Sequence, residues 1–329
     1  MLRRVSFPRI GYRLVVPIVV IAVAVSAALW ASVFRTSHRP LPAFLPEHGA
    51  LFGVYVSPTS GQDPVAAISS FEAKVGRSQT LEREYVLWDQ NWPTETDTWS
   101  RDHGAVPFIS WRAQLASGAA VAWNDIANGS HDAAIDARAR DLKAFGSPVI
   151  FTFNHEPEND HVAGDAAAFV AAFRHVEDRF RLDGVTNVSY AWTVMAWSFG
   201  RGTADAFYPG EEYVDIVAAD GYNDSGCPTP GPNRMFTQIF GGAHEFAVSH
   251  GLPLMVAEWG AATDPSQPMA RPTWIAQVAQ QAQTWPELKG LIYFDAGVRC
   301  PRHVDGDPAS LAALSAMAKL PYFSVEPRL

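Results

Sequence analysis

The sequence predicts a (β/α)8 barrel preceded by an amino-terminal transmembrane or signal segment. Three observations lead there: eight short apolar runs between Leu51 and Ala296, stretches of helical periodicity between them, and a charge-free segment of membrane-spanning length near the start. Near-continuous apolar runs suit strands buried on both faces, as in a parallel sheet. Eight such units in about 280 residues fit a barrel whose usual length is about 250. An open doubly wound sheet is the competing architecture. It usually carries a glycine-rich phosphate loop after its first strand, and "VSPTSGQDP" from Val56 lacks that pattern.

The amino-terminal segment runs from Leu14 to Phe34 without a charge. As a helix it would span about 30 Å, one hydrocarbon core. Arg3, Arg4, Arg9 and Arg13 precede it, which keeps the amino terminus in the cytoplasm and places the following chain outside. Val25-Ser26-Ala27 has the small-residue pattern of a cleavage site, so an uncleaved anchor and a signal peptide both stay open. Residues 1–35 are therefore read as anchor or signal. Residues 36–48, with Pro40, Pro42 and Pro46, are read as a linker, and residues 49–329 as the barrel domain. The expected location is extracytoplasmic, anchored at the cell surface through residues 14–34 or secreted.

The chain has 329 residues, 48% hydrophobic and 18% charged, the composition of a folded protein. Its formal charge of −9 hides six arginines in the first 40 residues, beyond which 19 basic side chains stand against 34 acidic ones. So acidic a body repels nucleic acid and suits a neutral or cationic ligand.

The expected strands begin with "LFGVYVS" from Leu51, "EYVLWDQ" from Glu84, "VPFISW" from Val106 and "PVIFTFN" from Pro148. They continue with "NVSYAWT" from Asn187, "DIVAADGY" from Asp215, "PLMVAEWG" from Pro253 and "GLIYFDA" from Gly290. Between them, "DAAIDARARDLKAFG" places Ile135, Ala139, Leu142 and Phe145 near one helical face, with Gly146 as a stop. The stretches from Gly164, Arg271 and Asp307 behave likewise.

In such a barrel the chemistry sits at the carboxyl ends of the strands. Glu156 and Glu258 fall at the exits of strands four and seven, on opposite sides of a narrow mouth, with Trp92, Trp111 and Trp192 at other exits and Trp259 next to Glu258. Flat apolar rings suit sugar faces, and paired carboxyl groups suit glycosidic bonds: a retaining glycosidase needs an acid/base and a nucleophile about 5–5.5 Å apart. Each feature also has a plainer reading, a solvated loop glutamate or a packing tryptophan. The conjunction on one face favours sugar chemistry.

Four stretches resemble glycoside hydrolase family 26: the segment from Asn124 to Asn159 ending in "FTFNHEPEN", "VPFISW", "YVDIVAADGYN" from Tyr213, and "LPLMVAEWG" from Leu252. That family holds β-mannanases with some β-1,3-xylanases and mixed-linkage glucanases. The resemblance implies a cofactor-free retaining hydrolase of β-linked polysaccharide, such as β-mannan, β-glucan or xylan, with internal cleavage. It implies Glu156 as acid/base, Glu258 as nucleophile, His155 and Trp192 near the sugar, and Tyr222 as a hydrogen-bond donor to the nucleophile. Thr152 departs from the arginine that mannanases often carry there, and "PENDHVAG" replaces a tryptophan-rich loop, so the subsites are expected to differ. Cys227 and Cys300 fall in the loops that flank strand seven. A bridge would pin two cleft loops; two free thiols are the alternative.

Two other functions compete. A surface barrel that binds carbohydrate without cleaving it would share the fold. A metal-dependent hydrolase would use "HEPENDH", but the histidine that a helical zinc motif needs four residues after His155 is Asn159. No metal is expected.

Overall fold

The computed structural model describes residues 41–329 apart from 59–60 and 298–299; the Leu14–Phe34 segment lies outside the described residues. Eight parallel strands close into a barrel in sequence order, β1 (Leu51–Val56), β2 (Leu81–Leu87), β3 (Val106–Arg112), β4 (Val149–Phe153), β5 (Val188–Met195), β6 (Ile216–Asn223), β7 (Leu254–Ala261) and β8 (Leu288–Asp295). The pairing of β8 with β1, from Leu51↔Gly290 to Val56↔Asp295, completes the ring. Among the described residues no helix is long and apolar enough to cross a membrane.

The helices form where local chemistry favours them. Asp63 caps Pro64–Val75 by accepting from Ala66 N at 2.7 Å, and left-handed Gly76 ends it. Helix Asp132–Phe145 buries Ile135, Ala139, Leu142 and Phe145, the face its periodicity predicts, and stops at Gly146. β2 begins three residues before its apolar run, because Glu82 and Arg83 are buried charged residues that a hydrophobicity reading passes over.

Alternation along the strands divides the core in two. Leu51, Leu81, Val106, Phe108, Ile150, Ala191, Ile216, Ala218, Met255, Ala257 and Ile292 fill the barrel. Their neighbours of opposite parity join helix side chains in an outer layer. Gly53 and Gly290 make room for Leu81: a Cβ at either position would stand 2.7 or 2.8 Å from Leu81 atoms. Phe44 and Leu45 belong to the inner cluster, and Phe44 O accepts from Arg328 N at 3.0 Å. The stretch read as linker therefore ends in a plug that closes the barrel's amino-terminal end.

β7 breaks the alternation. Ala219 pairs with Val256 and Asp220 with Glu258, so Ala257 is an extra residue. β8 shows the same shift, with Val256 opposite Leu291 and Trp259 opposite Tyr293. This β-bulge lets Ala257 and Glu258 both point inward and turns Trp259 outward, a re-aiming common beside active sites.

The four tryptophans expected at the mouth lie elsewhere. Trp111 and Trp192 have outward parity, and Trp259 is turned outward by the bulge; all are at most 1% exposed. Trp111 stacks on Trp88 at 3.9 Å, Trp192 packs on Tyr208, Phe246 and Phe199, and Trp259 packs on Tyr293 and Trp274. Trp92 is buried against Phe145. These rings hold helices to the sheet and offer no face to a ligand. Trp192→Phe should therefore lower unfolding free energy by about 1–3 kcal/mol in denaturant titration while leaving KM for any glycan unchanged. A raised KM at unchanged stability would contradict this placement.

Candidate active site

The mouth is built from inward positions of successive strands. Leu81, Arg83 and Tyr85 share the inner face of β2, so the charge of Arg83 lies inside the barrel, its guanidinium 4.5 Å from the Phe108 ring centroid and 4.7 Å from that of Tyr85. The phenols of Tyr85 and Tyr222 donate to the two oxygens of Glu258. Arg83 Nη2 stands 3.9 Å from Glu258 Oε1. Glu258 is 4% exposed, so these three groups form its surroundings in place of water. They fit a carboxylate rather than a carboxylic acid. Burial, with Glu258 next in effect, pushes the Tyr85 and Tyr222 hydroxyls well above the usual phenol range and keeps them donors.

Glu156 enters from a turn that few sequences adopt. Asn154 and Glu156, at φ 45° and 52°, are the non-glycine residues with positive φ among the described residues. Such a conformation costs about 1–2 kcal/mol and persists only when its neighbours enforce it. Here both flanking strands do. From β3, Trp111 O accepts from Asn154 N at 3.0 Å, and just past that strand Ala113 N donates to Asn154 Oδ1 at 2.9 Å. From β5, Thr193 O accepts from Glu156 N at 3.0 Å, and Met195 N donates to Glu158 Oε1 at 2.6 Å. Asn159 Nδ2 donates to Glu156 Oε2 at 3.1 Å. Burial raises the Glu156 carboxyl to about 7, with the negative charge of Glu258 adding to it.

One carboxyl oxygen each from Glu156, Asp220 and Glu258 lies within 4.8 Å of the other two. Three carboxyl groups at that distance could ligate a cation, but buried Arg83 beside them opposes one. A proton relieves the repulsion instead. Asp220 is fully buried, and burial, then Glu258 and Glu156, push its carboxyl well above the ordinary range. The site therefore holds three carboxyl groups in three environments, which is how acid and base roles become separated.

His155 precedes Glu156 in the same turn and packs toward β2 and β3. Its Nδ1 and Ser110 Oγ are 2.6 Å apart, and its ring is 5.0 Å from that of Tyr85. Burial, Arg83 and Arg112 hold its pKa well below the usual imidazole value, so the ring is neutral. The rings at the mouth come from other strands than expected. Tyr55 on β1 stacks on Phe294 on β8 at 5.1 Å and meets Tyr85 edge-on at 4.9 Å. Sequence reasoning missed Arg83, Tyr85, Asp220, Tyr55 and Phe294 as site residues. The period of two in "LEREY" carried the signal for Arg83 and Tyr85, in phase with Leu81. Cys227 and Cys300 form the expected disulfide, with Cα atoms 5.1 Å apart.

The chain matches the model of glycosyl hydrolase family 26 over residues 91–256, half its length, including Glu156 and stopping just before Glu258. It is 27% identical over 270 residues to endoglucanase H of Acetivibrio thermocellus, covering 77% of this chain and 29% of that protein. It is 26% identical over 243 residues to beta-1,3-xylanase TXYA of a Vibrio species, covering 70% and 49%. The chain thus spans under a third of the first relative and about half of the second. Among solved structures, a ruminal GH26 endo-beta-1,4-mannanase superposes with TM-score 0.59 at 15% identity, over 84% of this chain and 64% of that one. A GH26 beta-mannanase from Bacteroides ovatus gives 0.58 at 15%, over 84% and 90%. These superpositions establish the shared fold, and the family match with the sequence relatives establishes membership: the chain belongs to glycosyl hydrolase family 26.

Proposed function

We propose that this protein is a retaining, endo-acting glycoside hydrolase of a β-linked polysaccharide of the glucan, mannan or xylan type. Glu156 is its acid/base and Glu258 its nucleophile. The observation that carries this reading is the approach of the two carboxyl groups to within 4.8 Å in opposite environments. Inverting enzymes hold their carboxyl groups about 6.5–9.5 Å apart to admit a water, and retaining ones about 5–5.5 Å. The endo mode and the substrate range draw on the relatives, an endoglucanase and a β-1,3-xylanase by name.

In the first step Glu258 attacks the anomeric carbon while Glu156 gives its proton to the departing glycosidic oxygen, leaving a covalent glycosyl-enzyme. Glu156, now a base, then takes a proton from water, whose oxygen attacks the same carbon and releases Glu258 with configuration retained. The phenols of Tyr85 and Tyr222 keep Glu258 aimed and charged before attack. Neutral His155 lines the wall between Glu156 and Tyr85, and the Tyr55–Phe294 stack offers an apolar face at the mouth. We also place the domain outside the cytoplasm, a reading supported by the Cys227–Cys300 bridge, since such bonds persist in oxidising compartments.

Residues 41–329 should release reducing ends from one of β-mannan, mixed-linkage β-glucan, β-1,3-glucan, β-1,4-xylan or β-1,3-xylan. Glu156→Ala or Glu258→Ala should each reduce that release by at least about a thousandfold. Proton NMR of the first product should show the β-anomer. An α-anomer would mean inversion, and glycan binding without turnover would mean a binding barrel.

The acid must be protonated in the free enzyme, and its carboxyl titrates at about 7. Hence kcat/KM should fall as pH rises through about 7. In Glu258→Gln burial still raises Glu156 but the added effect of the Glu258 charge is gone, so its pKa, followed by carbon-13 NMR, should move down. An unchanged Glu156 titration would separate the two carboxyl groups electrostatically and sink the pairing.

A further inference from the structure

The loop after β8 brings a buried cation onto the face of Tyr222. Arg302 is 8% exposed, and its guanidinium carbon lies 3.8 Å from the Tyr222 ring centroid. Its stem crosses Gly260 on β7, where a Cβ would stand 3.0 Å from Arg302 Cδ. Nη2 pairs with Asp224 just past β6, and Nη1 donates to the Cys300 carbonyl at 3.0 Å. The backbone is held as firmly: Arg302 N donates to Ala296 O at 3.0 Å, and Tyr293 OH donates to Arg302 O at 2.7 Å. Cys300 is bridged to Cys227, three residues past Asp224. The bridge thus closes a ring that runs from Asp224 through Arg302 to Cys300 and back, and Tyr222 lies under that ring.

A cation on the face of a phenol does two things. It fixes the tilt of the ring, and it draws electron density out of it, which strengthens the hydroxyl as a donor. The hydroxyl so strengthened is one of the two that hold Glu258. We propose that Arg302, braced by the Cys227–Cys300 bridge, is a positioning residue for Glu258 and acts through Tyr222. The inference rests on Glu258 being the nucleophile. It also makes turnover depend on the oxidised bridge. A dithiol reductant would open the bridge to two cysteine thiols and leave as its own cyclic disulfide, releasing one anchor of Arg302.

The test compares the wild type with Arg302→Met, Arg302→Lys and Glu258→Ala on the polymer that the wild type cleaves, each with its bridge intact by thiol titration. Arg302→Met should lose about tenfold in kcat with KM unchanged, and Arg302→Lys should recover most of that loss because it restores the charge. Dithiothreitol should slow the wild type severalfold and Arg302→Met far less. A double-mutant cycle in denaturant, pairing Arg302→Met with Tyr222→Leu, should give a coupling of about threefold or more in the unfolding constant. Arg302→Gln replaces Arg302→Met if that variant does not fold. Wild-type kcat in Arg302→Met, a lysine variant as slow as the methionine one, or no coupling in the cycle overturns the proposal, and the cycle decides even where no polymer is cleaved. Hydrolysis that survives Glu258→Ala sinks the nucleophile reading instead. Hydrolysis lost there but unchanged in Arg302→Met sinks this inference alone.

Discussion

The site depends on one extra residue in one strand. Without the bulge at Ala257, the alternation that puts Met255 and Ala257 inside the barrel would send Glu258 into the helix layer and Trp259 into the mouth. With it, the carboxylate faces Tyr85, Tyr222 and Arg83, and the indole packs on Tyr293 and Trp274. Both exchanges are favourable. A buried carboxylate without donors would be costly, and a tryptophan in the mouth would leave the outer layer short of a large ring. The second departure from regular geometry, the left-handed pair at Asn154 and Glu156, sits across the mouth and serves the opposite carboxyl group. Irregular backbone is thus placed at the two points where the chemistry is proposed.

The electrostatics follow from the same placement. Arg83 is a buried cation beside the carboxyl cluster, with Nη2 3.9 Å from Glu258 Oε1. The two glutamates therefore differ although they are near neighbours. One is surrounded by donors; the other is desolvated and repelled by the first. Asp220, a third carboxyl group without a hydrogen-bond partner among the described residues, is pushed toward its protonated form by burial and by the charges of Glu258 and Glu156.

The barrel was legible in the sequence because its eight apolar runs are discrete and the helical stretch before the fourth strand ends in a stop at Gly146. Glu156, Glu258, His155 and Tyr222 were legible as positions because each falls within a motif at a strand exit. The tryptophans were not. A strand exit names the end of a strand but not the face on which a side chain stands, and Trp111 and Trp192 have outward parity. Trp259 needed the bulge, which no local pattern in "MVAEWG" announces. Arg83 was hidden because a charged residue inside a barrel contradicts the hydrophobic signal by which strands are found. The burial of Phe44 and Leu45 was hidden by the prolines around them.

That plug has a further consequence. Phe44 O accepts from Arg328 N, and Glu47 pairs with Arg328, so the first and last parts of the barrel domain meet beneath its floor. The two ends can be spliced by a few residues and the chain reopened in a loop on the floor side without altering the strand order, which makes the domain a natural subject for circular permutation.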